Sequence, residues 1–123
     1  MLEEIMGKNI TLFLSTSPYS YENALTTIKI ADVALNKGHA VNVIASADGI
    51  YCFLKKQKAR GITNAEEKFS ELIQKGLKVY LWGGCLNFRR AAQEDYIDGA
   101  EVGSLKGLFK TMGESDVWLN MGA

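Results

Sequence analysis

"LNKGHAVNVIAS", residues 35–46, passes from a helix-like segment through Gly38 into an apolar, β-branched run. A glycine that closes a helix just before a strand-like stretch marks the junction of an αβ unit. The same grammar recurs in "IQKGLKVYLWGG" at 73–84 and "KTMGESDVWLN" at 110–120, so Gly38, Gly76 and Gly113 are expected to end three helices. Upstream of the first, Ala24, Ile28, Ala31 and Leu35 repeat at helical spacing and predict a helix that starts near Ser20 and lies on a core. Thr63 with Glu66 fits a capping box for a second helix bearing Ala65, Phe69, Leu72 and Ile73. Leu105, Leu108, Phe109 and Met112 do the same for a last one.

Between these helices "ITLFLS" (10–15), "AVNVIAS" (40–46), "KVYLW" (78–82) and "VWLN" (117–120) are short and apolar, as strands covered on both faces are. One more short strand is expected around Ala100–Gly103. Such alternation predicts an α/β fold, a three-layer α/β/α sandwich around a mostly parallel sheet with right-handed crossovers. One proline and no stretch of linker composition predict a single domain over residues 1–123, with 1–8 as a short N-terminal extension. The polar segment "KKQKARGITNAEE" (55–67) is expected to be a surface loop.

Hydrophobic residues make up 47% and charged residues 23%, the mix of an ordinary globular protein. Fourteen basic side chains balance fourteen acidic ones, which removes the cationic surplus that nucleic acids and acidic membranes attract. "MLEEIMGKN" lacks the basic start and apolar stretch of a secretory signal, and no apolar run approaches the ~20 residues of a membrane helix. A cytoplasmic protein is expected, in which Cys52 and Cys85 stay reduced.

In a parallel sheet of this kind, ligands gather beyond the C-terminal ends of the strands. Three loops qualify: "STSPYSYEN" (15–23), "SADGIYC" (46–52) and "GGCLNFRR" (83–90). The third puts Cys85 at that edge. A helix beginning near Gly84 offers unpaired N–H groups and a dipole that favour a thiolate, and Arg89, one turn on, and Arg90 add positive potential. Gly83 and Gly84, without side chains, leave room for another sulfur-bearing molecule. The plainer reading of Cys85 is a small packing residue, because free cysteine is often buried. Cys52, in "GIYCFLK" (49–55), has no basic residue before Lys55 and is expected in the core.

His39 stands alone at the opposite sheet edge, and positions 39, 52 and 85 do not have the spacing of a zinc site. No Ser/His/Asp set converges at one edge. The first loop has hydroxyls but no glycine, and neither G-x-G-x-x-G nor G-x-x-x-x-G-K occurs, so a phosphate cradle is not expected. Tyr19, Tyr21 and Glu22 suit a protein contact or the rim of a pocket, with Ser20 as helix cap. Asp48 and Tyr51 of the second loop, with Gly83 and Gly84, complete the candidate partner-binding set.

Together "SPYSYENA", "ADGIY", "GGCLNFRRA" and "YIDGAEVGSL" resemble the DsrE/DsrF-like family of sulfur-relay proteins, across nearly the whole chain. The last is the most specific. It looks like the "IDGVEIGTL" type of segment of the YchN branch, followed here too by an apolar helix and the closing "SDVWLN". The resemblance implies a five-stranded parallel sheet, assembly into trimers or hexamers, and a cysteine that carries sulfur as a persulfide. Cys85 and Arg89 match the second cysteine and the arginine of the family's C-x-x-C-x-x-x-R motif, and Trp82 stands in place of the first cysteine. DsrE and TusD themselves carry the active cysteine slightly earlier in the loop, near Gly83.

A single-thiol loop holds a persulfide and passes it on, but lacks the neighbouring thiol that resolves it as a disulfide. The expected function is thus a sulfur carrier or sulfurtransferase component. Cys85 would be the nucleophile, Arg89 would stabilise the anion, and protein thiols would act as donor and acceptor, with no metal or organic cofactor. The alternatives are a non-catalytic assembly or regulatory subunit of the same fold, and a small-molecule binder using the same crevice. An apolar tail of Trp118, Leu119 and Met121 separately points to burial against another copy.

Overall fold

The computed structural model describes residues 7–88 and 92–122. Strand β1 (Asn9–Leu14) leads through a loop into helix α1 (Asn23–Asn36), then β2 (Ala40–Ala45) and a 3₁₀ segment at Ala47–Phe53. Helix α2 (Ala65–Gln74) and β3 (Lys78–Trp82) follow, then the short α3 (Gly83–Phe88), a 3₁₀ turn at Gln93–Asp95, β4 (Ala100–Gly103), α4 (Leu105–Gly113) and β5 (Val117–Asn120). The sheet has the order β4-β3-β2-β1-β5, and every pairing is parallel. The expected extra strand is β4. Among the described residues no helix is long and apolar enough to cross a membrane.

Strand order fixes the layers. Steps from β1 to β2, β3 and β4 all run one way, so right-handed connections put α1, α2 and α3 on one face; the return from β4 to β5 puts α4 on the other. Side chains alternate accordingly. Leu12, Leu14, Val41, Val43, Val79 and Leu81 meet Ile28 and Ala31 of α1 and Phe69 and Leu72 of α2 in the main core. On the far side Ile44 and Leu108 are buried. There Gly103 makes room, since a Cβ on it would lie 2.9 Å from Leu108 Cδ2. Asn42 donates to Asn9 Oδ1 at 2.7 Å and Thr11 shares a hydroxyl hydrogen bond with Ser115, which satisfies polar groups on this face.

Gly38 and Gly76 end α1 and α2 with positive φ (88° and 112°), the conformation that favours glycine after a helix. Gly113 does not. It is the last residue of α4, and Glu114 follows as C-cap with φ −87°.

Two helix starts also differ from expectation. Ser20 donates its N–H to Pro18 O in a tight turn (2.8 Å), so α1 begins only at Asn23, with Glu22 at the cap position. Helix α2 is capped by Asn64, whose side chain accepts from Glu67 N at 3.1 Å, and not by Thr63. Glu66 is engaged elsewhere, its carboxylate accepting from Gln57 N at 2.8 Å. Finally, β5, one of the two edge strands, is exposed along its whole length instead of covered on both faces.

Candidate functional site

The exits of β1, β2 and β3 are stitched together at the C-terminal edge of the sheet. Ser46 N–H donates to Leu14 O at 3.0 Å, and Gly49 N–H donates back to Ser46 O at 2.9 Å. Gly49 is pressed so closely on β1 that a Cβ there would lie 2.0 Å from Leu14 O. That contact folds the 3₁₀ segment inward and leaves Ala47 at φ 49°, a left-handed conformation uncommon for alanine. Ala47 N–H then donates to Cys85 Sγ at 3.1 Å. The end of β5 joins the same edge: Met121 N–H donates to Phe13 O at 2.7 Å, and a Cβ on Gly122 would lie 1.7 Å from Ser15 Oγ.

Cys85 lies in the first turn of α3, half-buried, with one side packed against the core. The helix does follow β3 directly, as the spacing predicts. The two preceding glycines face the chain's own side chains: a Cβ on Gly83 would lie 3.2 Å from Val102 Cγ1, and one on Gly84 would lie 3.5 Å from Trp82 Nε1. Trp82 itself is 40% exposed beside them. Arg89, the expected anion partner, lies outside the described residues, as does Arg90.

Cys52 differs in kind. It is fully buried in the 3₁₀ segment, its thiol donating to Thr16 O at 3.6 Å. Burial pushes this thiol up to about 12, a backbone hydrogen bond opposing the rise in part. It is therefore a neutral core residue, as expected from its surroundings in sequence.

The remaining candidates are dispersed. Tyr19 adopts φ 69°, and its hydroxyl donates to Gln57 Oε1 and accepts from Ala65 N at 3.2 Å. It thereby clasps the β1–α1 loop to the start of α2. Together with Tyr21, Glu22, Leu25 and Ile62 it lines a cleft of about 210 Å³, and Cys85 is not among the lining residues. Asp48 is exposed next to Ala47, and Tyr51 packs against the core from the same segment.

Sequence reading missed Ala47, because a backbone N–H donor leaves no mark in residue type. It also missed Ser15 and Gly122, since only the placement of β5 beside β1 brings residues so far apart in sequence together. The glycine at 122 was the one available signal.

Comparisons with known proteins agree with this architecture. An uncharacterized protein of Methanopyrus kandleri is 32% identical over 107 residues, covering 87% of this chain and 88% of its own. Another from Methanocaldococcus jannaschii is 30% identical over 106 residues, covering 86% and 93%. Among solved structures, the YchN protein of E. coli superposes with a TM-score of 0.85 at 20% identity, over 92% of this chain and 98% of that one. A protein of unknown function from Methanobacterium thermoautotrophicum, MTH1491, superposes at 0.77 with 14% identity over the same shares. The sequence model of the DsrE/DsrF-like family matches residues 8–121, from the foot of β1 to just past β5. The chain therefore belongs to the DsrE/DsrF-like family.

Proposed function

We propose that this chain is a sulfur-relay component that accepts sulfane sulfur as a persulfide on Cys85 and passes it to a second thiol. One observation carries the reading: in a chain of this family, Cys85 is only partly buried at the exit of β3, with a backbone N–H directed at its sulfur. The thiolate is the nucleophile in sulfur exchange, and this N–H is placed to hydrogen-bond to it. Cys52 offers no competition, being sealed and protonated. Arg89 is assigned the stabilisation of anionic states on the sequence motif alone. Docking of donor and acceptor proteins is assigned to the rim bearing Tyr19, Glu22, Asp48, Tyr51, Gly83 and Gly84. The exchange uses no metal or organic cofactor, and a reducing cytoplasm suits it.

Incubation with a persulfide donor followed by peptide mass mapping tests this. Cys85 is expected to gain one sulfur atom while Cys52 stays unmodified. Sulfur on Cys52, or on neither cysteine, would overturn the assignment.

A second reading, a non-catalytic assembly subunit, draws on Trp82 at the place of the motif's first cysteine and on the exposed Trp118. Under it a Cys85→Ser variant keeps full relay activity; under the carrier reading that variant is inactive. Both readings include self-association into a trimer or hexamer, supported by the exposed Leu105, Phe109, Val117, Trp118 and Leu119. Light scattering measures it directly.

A further inference from the structure

We propose that Ala47 is a catalytic residue of the relay, its backbone N–H receiving the charge that forms on Cys85 Sγ as sulfur is handed on. The inference rests on the persulfide reading above. Ala47 N is 3.1 Å from Cys85 Sγ, within hydrogen-bond reach of a large sulfur atom. No strand ladder aims this N–H, because Ala47 lies beyond the end of β2, one residue after Ser46, and opens the 3₁₀ segment. Its φ of 49° is a conformation that a residue with a Cβ adopts only when its surroundings impose it. Here β1 imposes it. Leu14 O accepts from Ser46 N–H on one side of Ala47, and on the other the bare Cα of Gly49 abuts the same carbonyl. The donor is thus fixed before any sulfur arrives.

Its value lies in when the charge appears. In delivery, an acceptor thiolate attacks the outer sulfur of Cys85–S–SH. The new S–S bond forms, the bond from Sγ to the outer sulfur breaks, and the electron pair stays on Sγ. The proton leaves with the outer sulfur, so the acceptor becomes R–S–SH and Cys85 becomes a thiolate. Negative charge develops on the atom that Ala47 N–H addresses, and a fixed donor stabilises that transition state more than the neutral persulfide. Loading is the mirror step: the Cys85 thiolate attacks the donor's outer sulfur and the donor keeps the pair. Neither step consumes an oxidant.

The test replaces Ala47 in the full chain by lactic acid, which exchanges the N–H for an ester oxygen and keeps the methyl group. Ala47→Gly, which retains the N–H and tolerates φ 49°, is the companion. Preloaded protein is mixed with 2-mercaptoethanol and the single-turnover delivery rate is followed. The ester chain is expected to deliver about tenfold more slowly and Ala47→Gly within about twofold of the parent. An ester chain as fast as the parent, or a glycine variant as slow as the ester, would overturn the role of the N–H. On the unsubstituted chain, the Ala47 amide proton should move downfield when Cys85 ionises, and not in Cys85→Ala. The absence of that movement would overturn the proposal independently of the ester. A parent chain that never accepts sulfur refutes the persulfide reading instead, so the two failures are distinguishable.

Discussion

Of the glycines near the strand exits, Gly49 is fixed by its neighbours and Gly84 is not. Gly49 has no room for a side chain, with a backbone carbonyl oxygen 2.0 Å from where a Cβ would sit. Gly49→Ala is expected to cost about 3 kcal/mol in a urea titration. Gly84→Ala is the contrast. It meets nothing closer than 3.5 Å and sits in helix α3, so its stability should hold or rise by up to about 1 kcal/mol. Cys52 gives a pH signature. Its thiol is raised in the fold from 9.0 to about 12 by burial, so the unfolded chain loses this proton first. The contribution is therefore whole below about pH 9 and declines between about pH 9 and 12, by up to about 1.4 kcal/mol per pH unit. Denaturation of the parent at about pH 7 and about pH 10, set beside Cys52→Ala, should show this loss in the parent alone.

At the scale of elements, the start of α2 is held by side chains from three places. Asn64 caps it, Glu66 holds Gln57 N, and the Tyr19 hydroxyl bridges Gln57 and Ala65 N. Asn64→Ala should cost about 1 kcal/mol and speed amide exchange at Glu67. The existence of α1, α2 and α4 was legible because apolar residues at helical spacing record which face each buries. Strands β3 and β5 were legible to the residue for a similar reason, as uninterrupted apolar runs between turn signals. Cap identity was less so. Thr63 and Asn64 are both competent caps, and the choice fell to the Gln57 network, which is tertiary. The 3₁₀ segment at Ala47–Phe53 left no periodic trace, since the contact of Gly49 with Leu14 sets its conformation. Cys85 could be placed at the edge from strand ends alone; what faces its sulfur could not, because that donor is a main-chain group from another loop.

For the whole molecule, strand order decides which apolar residues are left in the open. "VWLN" and "AVNVIAS" look alike as sequence, yet β2 is central and buried while β5 is outermost, with Trp118 57% exposed. The proposed self-association should therefore depend on this strand: Trp118→Glu is expected to lower the mass measured by light scattering while leaving Cys85 chemistry intact. Loss of sulfur acceptance together with mass would mean instead that neighbouring copies complete the thiol site.

The opposite margin of the sheet is built differently. Gln93 lays its side-chain amide along β4, Nε2 donating to Ala100 O at 2.7 Å and Oε1 accepting from Val102 N at 3.1 Å. These are the main-chain groups that another strand would need, and one glutamine occupies them as a substitute strand. A sheet plugged on one margin grows only from the other. Edge pairing through β5 joins at most two molecules, so a runaway ribbon of sheets is closed while Gln93 keeps its place, and the proposed trimer or hexamer has to form through exposed side-chain faces such as that of Trp118 instead.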